Sequence, residues 1–297
     1  IWNQEERNSY KFKNHIEPER NDYFLTNLKW NQSSAHLGIG DTMNFYRVYD
    51  FITEKKVLTL KHANSYILSS CWIGDNVVNC GYSNGSLISY DIRSFINTKS
   101  LGSFKIDFHK GKLCSLVFNQ NLNLLAIGSE DQKVSLWDIR KLRNANEQTP
   151  YLVIDSHKST VKGLDWCNWQ NNLLATGGLS DGLVKIWNIY NGRELISLDV
   201  DSQVTGLFWS DYNKELLSVQ SNSLCLWKYP KMFKLHKYES HSNPILYATK
   251  SPNNPWVATA AADEILIIWK PFESKKNLYL DATPITTKYM CQNRLIR

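Results

Sequence analysis

An all-β fold built from repeated four-stranded units is predicted by three features: a recurring motif, strand-type alternation inside each copy, and an aromatic residue that closes it. The stretches LLAIGSEDQKVSLWDI (124–139), LLATGGLSDGLVKIWNI (173–189) and WVATAAADEILIIWK (256–270) share one order. An apolar strand leads through small residues into an acidic turn, and an alternating strand then ends in Trp. Weaker copies close at Tyr90, in NGSLISYDI, and at Trp227, in SNSLCLWKY; the first closes near Tyr46, in DTMNFYRVY. The marks Tyr46, Tyr90, Trp137, Trp187, Trp227 and Trp269 fall 44, 47, 50, 40 and 42 residues apart. A period of this length signals a solenoid or a propeller. Helical repeats need apolar residues at i, i+3, i+4 and i+7, whereas these segments alternate with period two and break at Gly, Ser, Asn and Asp. A second aromatic precedes most marks on what reads as an inner strand: Trp30, Trp72, Phe118, Trp166 and Trp209. Four short strands per unit, stacked radially, make the blade of a β-propeller, which leaves only short sheet edges exposed.

Composition agrees with a packed fold. Hydrophobic residues make up 42% and aromatics 12% of the 297 residues, with 21% charged, which is ample for a core and far from the disordered extreme. The longest strictly apolar run, Ile265 to Trp269, is much shorter than the roughly 20 residues that cross a bilayer. The chain opens at Ile1 and is polar from Asn3 to Asn14, where a signal peptide would be apolar, so a piece of a longer, non-secreted protein is expected. Cys71, Cys80, Cys114, Cys167, Cys225 and Cys291 form no CxxC pair and have mostly apolar neighbours, the pattern of buried, reduced thiols rather than disulfides or a zinc site. The net charge of +6 is spread along the chain without a basic block, so no nucleic-acid footprint is predicted.

Two copies carry polar residues that can form a buried hydrogen-bonded chain. In the last, His241, Thr259, Asp263 and Trp269 link imidazole to carboxylate, and hydroxyl to indole. His157, Thr176, Asp181 and Trp187 match them with one more residue in the loop. His, Asp and a hydroxyl suggest catalysis, but recurrence by blade favours a structural tetrad, since buried polar groups need such partners. No GxSxG, HExxH, P-loop or paired-carboxylate motif is present. The expectation is a non-enzymatic binding module with no cofactor and no metal.

The strings VKGLDWCNWQNNLLATGG, SQVTGLFWSDYNKELLS, LCLWKYPKM and ATAAADEILIIWKPFE, within residues 161–272, are similar in order and spacing to the last three blades of the Fizzy and Fizzy-related WD-repeat activators of the anaphase-promoting complex. RNDYFLTNLKW (20–30) resembles that family's entry into its first blade. The resemblance implies seven blades, of which six are legible; HANSYILSSCW looks like the third, which leaves the second missing between about Asp50 and Lys61, so that either the propeller closes with six blades or a segment is absent from this sequence. It divides the chain into an entry segment or linker (1–19), a WD-repeat propeller (20–272) and an extended tail (273–297). The family's C-box, of the DRYIPxR type, would precede this sequence.

By resemblance, the propeller recruits substrates to the ligase, in the nucleus and cytoplasm, during mitosis or, in a divergent fungal branch, meiosis. Its implied partners are degron-bearing substrates or inhibitors and subunits of the complex, among them a tetratricopeptide-repeat subunit, with neither membrane nor nucleic acid. The destruction box would bind between the first and last blades, its Arg beside Glu264 and Asp263, with Glu17 helping where relatives carry Asp. Asp22, Tyr23 and Gln203 match KEN-box contacts, but the shortened loop Gly177 to Ser180 and Pro244, in place of an Arg, predict weak or altered KEN recognition. The chain stops at Leu295-Ile296-Arg297, and relatives end in the same Ile-Arg, a docking peptide for the ligase. Two other functions compete. Trp137, Asp138 and Arg140 fit the WDxR pattern of cullin-ligase receptors, and a generic protein scaffold needs neither feature.

Overall fold

The computed structural model describes residues 2–3, 8–9, 24–53, 55–62, 64–94, 104–142, 149–211, 213–239, 241–251, 255–272 and 287–290. β1 (Trp2–Asn3) and β2 (Asn8–Ser9) pair with each other. The other strands form six four-stranded antiparallel sheets, in chain order one sheet per repeat. The first blade is β3 (Leu25–Trp30), β4 (His36–Asp41), β5 (Phe45–Asp50) and β6 (Lys55–Lys61). The second is β7 (Ile67–Ile73), β8 (Val77–Tyr82), β9 (Ser86–Asp91) and β10 (Phe104–Asp107). The third is β11 (Leu113–Asn119), β12 (Leu124–Ser129), β13 (Val134–Asp138) and β14 (Leu152–Ile154). The fourth is β15 (Val161–Trp166), β16 (Leu173–Gly178), β17 (Leu183–Asn188) and β18 (Arg193–Asp199). The fifth is β19 (Val204–Trp209), β20 (Glu215–Gln220), β21 (Ser223–Lys228) and β22 (Phe233–Glu239). The sixth is β23 (Ile245–Lys250), β24 (Val257–Ala261), β25 (Ile265–Trp269) and β26 (Thr287–Met290).

The repeat is stricter in register than in sequence. Every pairing of first with second strand slips at the same place, after Leu25, Ile67, Leu113, Val161, Val204 and Ile245. A bulge there adds a bend and extra twist to the inner strand. Trp137, Trp187, Trp227 and Trp269 pair with Leu125, Leu174, Leu216 and Val257, and all four are buried. In the first blade the residue in this position is Tyr49, opposite Leu37, and not Tyr46. The correction has a steric cause: Tyr46 fills a site that holds Leu87 or Val134 in the next two blades, and Gly38 across the ladder leaves room for its ring.

The chain divides into two compact units, Ile1–Ser83 with Leu87–Lys105, and Asn84–Ser86 with Ile106–Arg297. In the second unit the centre of each blade is apolar, and the inner strands β11, β15, β19 and β23 pack in succession. Val161 and Leu164 press on Gly128 of the third blade, and Val204 and Leu207 press on Gly163 and Gly177 of the fourth; a Cβ at Gly128 or Gly177 would overlap its neighbours, and one at Gly163 would require Leu207 to give way. In the first unit, β3 packs on β7, and the Trp72 indole donates to the Lys29 carbonyl.

Two segments differ from the boundaries expected from sequence. Residues 287–290 are not extension, because they pair with β25 as the outer strand of the last blade, and the expected limit at 272 falls inside that sheet. The sequence Thr-Lys-Tyr-Met suits an edge strand, with two residues of high β propensity. Among the described residues between Asp50 and Lys61, Asp50 and Lys55–Lys61 pair within the first blade, and Asp50 accepts the N–H groups of Ile52 and Thr53.

Candidate functional site

The tetrads form as the residue types require. In the fourth blade His157 Nδ1–H donates to Asp181 at 3.0 Å, Nε2 accepts from the Thr176 hydroxyl at 2.8 Å, and Trp187 Nε1–H donates to that same oxygen at 2.9 Å. In the sixth blade the distances are 3.0 Å for His241 to Asp263, 2.8 Å to Thr259, and 2.8 Å from Trp269. Burial pushes the His157 pKa down against the pull of Asp181, so the ring is neutral near pH 7. Burial alone would raise the Asp181 pKa, but the N–H groups of Lys158 and Leu183, together with His157, bring it below the usual value. Thr176 and Thr259 are fully buried, and each hydroxyl oxygen already accepts an indole N–H. Such an oxygen has no path to a substrate; the tetrad joins the loop, the turn and two strands of one blade.

A third tetrad was not legible as such. His109 Nδ1 meets Asp131 at 2.9 Å, and its Nε2 accepts from Ser135, 2.6 Å away, which accepts from Trp137 Nε1 at 2.8 Å. Here the hydroxyl has crossed the ladder. Thr176 lies on the second strand opposite Lys185, whereas Ser135 lies on the third, opposite Ile127. A signal did exist: His109 precedes Asp131 by 22 residues, as His241 precedes Asp263. In the fifth blade Ser218 accepts from Trp227 and from Gln220, each at 2.8 Å, so an amide serves where the others use histidine.

The sixth-blade turn separates two neighbouring carboxylates that the sequence reading treated as a pair. Asp263 is occupied inside the blade by His241 and by the N–H groups of Ser242 and Ile265. It is therefore a tetrad residue and is not available to a ligand. Glu264 is exposed, with its N–H donating to Ala261 and a backbone φ of 62°. Left-handed backbone strains a side chain that has a Cβ, and the fourth blade has Gly182 in this place, φ 65°. Gln203 is exposed, with its carbonyl held by Ser221 N–H; Pro244 is exposed, with its carbonyl held by Ala262 N–H. These bonds tie the connection into each blade to the turn between its second and third strands, the same end at which Glu264 lies. Gly177 and Gly178 are buried, and Leu179 N–H donates to Thr160. Glu17, Asp22, Tyr23, Ile296 and Arg297 lie outside the described residues.

The Arg140 guanidinium turns back on Asp138, with Nε and Nη2 donating at 2.9 and 2.7 Å. Arg93 makes the same fork with Asp91, at 3.0 and 2.7 Å, after a Tyr instead of a Trp. The fork thus recurs at the end of the third strand in two blades. Among the described cysteines none is paired; burial pushes the Cys114 thiol up to about 11 and that of Cys167 up to about 12.

Residues 1–269 match the model of the CDC20/Fizzy WD40 domain. The chain belongs to that family. Its relatives include an Arabidopsis thaliana protein named Cell division cycle 20.5, cofactor of APC complex, 32% identical over 92% of this chain and 60% of that protein. Another is the Anaphase-promoting complex subunit cdc20 of Dictyostelium discoideum, 31% identical over 88% of this chain and 51% of that protein. Among solved structures, a chain in the crystal structure of a mitotic checkpoint complex superposes with a TM-score of 0.82 at 27% identity, covering 92% of this chain and 81% of that one. The chain thus spans about half to three fifths of the length of these curated relatives. Within a WD40 family of cofactors, three blades that hold His, Asp and a hydroxyl are framework.

Proposed function

We propose that this chain is the degron-binding propeller of a substrate-recruiting activator of the anaphase-promoting complex. Its partners are then subunits of that ligase and proteins bearing a destruction box, and its work is presentation in the nucleus and cytoplasm rather than chemistry. The observation that carries the reading is Glu264. A glycine would suit the left-handed turn better, yet an exposed carboxylate stands there, beside an aspartate consumed by its own blade. An Arg guanidinium is the natural partner of a fixed carboxylate at a protein surface. Asp263 has no part in this contact; Glu17 has the right charge to join it. Gln203 offers the amide expected for a KEN box, while Pro244 offers no donor, so KEN recognition is weak or altered.

Ile296 and Arg297 dock the protein on a tetratricopeptide-repeat subunit through a guanidinium and a small apolar side chain. The test is co-purification of the ligase with the intact protein, with Ile296 and Arg297 deleted, and with one residue added after Arg297. Both altered proteins lose the ligase and keep the fold. Full retention by both refutes the docking role.

A further inference from the structure

The register slip leaves one residue of each inner strand outside its ladder: Thr26, Leu68, Cys114, Lys162, Thr205 and Leu246. A bulge re-aims the side chain it carries. Of these six side chains only that of Lys162 carries a charge. In the second unit Thr205 turns back on the Val219 carbonyl of its own blade, at 3.3 Å. Lys162 instead reaches past the fifth blade. Its ammonium donates to the Leu246 carbonyl of the sixth at 3.3 Å and lies 5.9 Å from the centre of the Tyr247 ring. Cys114 of the third blade is close enough that its thiol and this ammonium bear on each other's ionisation. The bulges of three blades therefore converge on one space along the inner edge of the unit.

Lys162 has no counter-ion there. Among the described residues no carboxylate bonds it: Glu130, which acts on Cys114, pairs with Lys112 at 3.5 Å, and Asp131 is held by His109. Burial pushes the Lys162 pKa down, opposed only by the Cys114 thiol. An ammonium drawn out of water toward one carbonyl and one ring is a poorly compensated charge. The space is open to solvent, since Lys162 is only half-buried and the residues it touches, Leu246 and Tyr247, are 47% and 60% exposed. The residue after the bulge is Asn27, Ser69, Ser115, Gly163 and Gly206 in the other blades, so a bare aromatic ring beside the cation is peculiar to the sixth.

We propose that this space binds an acidic side chain of a partner peptide, next to an apolar residue. The carboxylate takes the Lys162 ammonium from the Leu246 carbonyl in a charge-assisted bond, and the apolar neighbour covers Leu246 and the Tyr247 ring. The ligand charge is opposite to that taken by Glu264, and the site does not depend on the destruction-box reading.

The test is titration of the full chain, with lysine and tyrosine side chains labelled, by acetyl-Gly-Glu-Leu-Gly-amide and by acetyl-Gly-Gln-Leu-Gly-amide, followed by NMR. The Lys162 Cε signal, assigned by its loss in Lys162→Met, moves with the glutamate peptide, and its titration shifts to higher pH when that peptide is bound. The glutamine peptide binds about tenfold more weakly. Read from the Tyr247 ring signals, Lys162→Arg keeps this preference and Lys162→Met loses it. An unmoved Lys162 signal at millimolar peptide overturns the proposal, as does equal affinity for the two peptides or a preference that survives in Lys162→Met. Inorganic phosphate that moves the signal as far as the glutamate peptide also overturns it, and makes the space a general anion hole. If Lys162→Met fails to fold, Lys162→Gln takes its place.

Discussion

The first two blades and the later four build one register from different chemistry. In the third, fourth and sixth blades a Trp closes the third strand and its indole ends a chain that begins at a His–Asp pair. In the first two, Tyr49 and Tyr90 take the Trp position. There the Tyr90 hydroxyl bonds that of Tyr82 at 2.9 Å, and Tyr46 reaches Ser70 at 3.2 Å. The difference teaches that what the blades share is a slot for a large flat side chain on the third strand, while the polar chemistry around it differs from blade to blade. The residues that fill it are exchangeable.

The largest effect should come from emptying a slot that a tetrad fills. Trp187 is buried among Leu174, Val161 and Leu164, and Trp187→Ala leaves both a cavity and the Thr176 oxygen without its donor. A loss of about 3–5 kcal/mol in denaturant unfolding is expected. A loss below about 1 kcal/mol would mean that the slot is not the unit of stability.

Next comes the tyrosine version of the slot. A Cβ on Gly38 would overlap the hydroxyl end of Tyr46, which is fully buried and bonded to Ser70. Gly38→Ala should cost about 1–3 kcal/mol. Adding Tyr46→Leu, which restores the side chain of the second blade, should return part of it, because the two residues share one contact. Additive losses would show that Gly38 serves something other than Tyr46.

The smallest of the stability effects is a pH dependence carried by the tetrad histidines. His109 and His157 have pKa values lowered by burial, so below the ordinary histidine pKa of about 6.5 the unfolded chain takes up protons that the folded chain refuses. Stability is therefore full above that pH and falls as pH drops toward the lower folded values. The lowered pKa values of Asp131, Asp181 and Asp263 extend the loss into the carboxylate range. Thermal melts from pH 8 to 5 should show the decline, and His157→Gln should flatten it, since a glutamine side chain does not titrate in this range. An unchanged slope in the variant would remove His157 from the account.

Legibility from sequence followed the same divide. The Trp marks and the inner aromatics were readable because each large side chain sits at a fixed distance from a turn, and every turn supplies Asp, Asn or Gly. The first mark was misplaced because FYRVY offers two tyrosines on a strand, and only the Gly38 contact tells which one is displaced. The third tetrad escaped because pattern reading fixes a residue to a strand, whereas cross-strand neighbours such as Ile127 and Ser135 can exchange roles. Asp263 and Glu264 looked like one acidic turn because sequence does not say which carboxylate faces inward. Pairing of residues 287–290 with β25 was hidden by the intervening residues, since strand partners distant in sequence leave no local signal.

That last pair of carboxylates also holds the most direct test of the proposed function. Glu264→Gly places in the turn the residue that the fourth blade already has, so the backbone is relieved and the fold is retained or stabilised. Calorimetric titration with an isolated destruction-box peptide should show the variant binding tenfold or more weakly than the intact protein, in line with a charge-assisted pair worth about 1.5–3 kcal/mol. Equal affinity in a variant that melts no lower than the parent would contradict the assignment of this propeller as a destruction-box receptor.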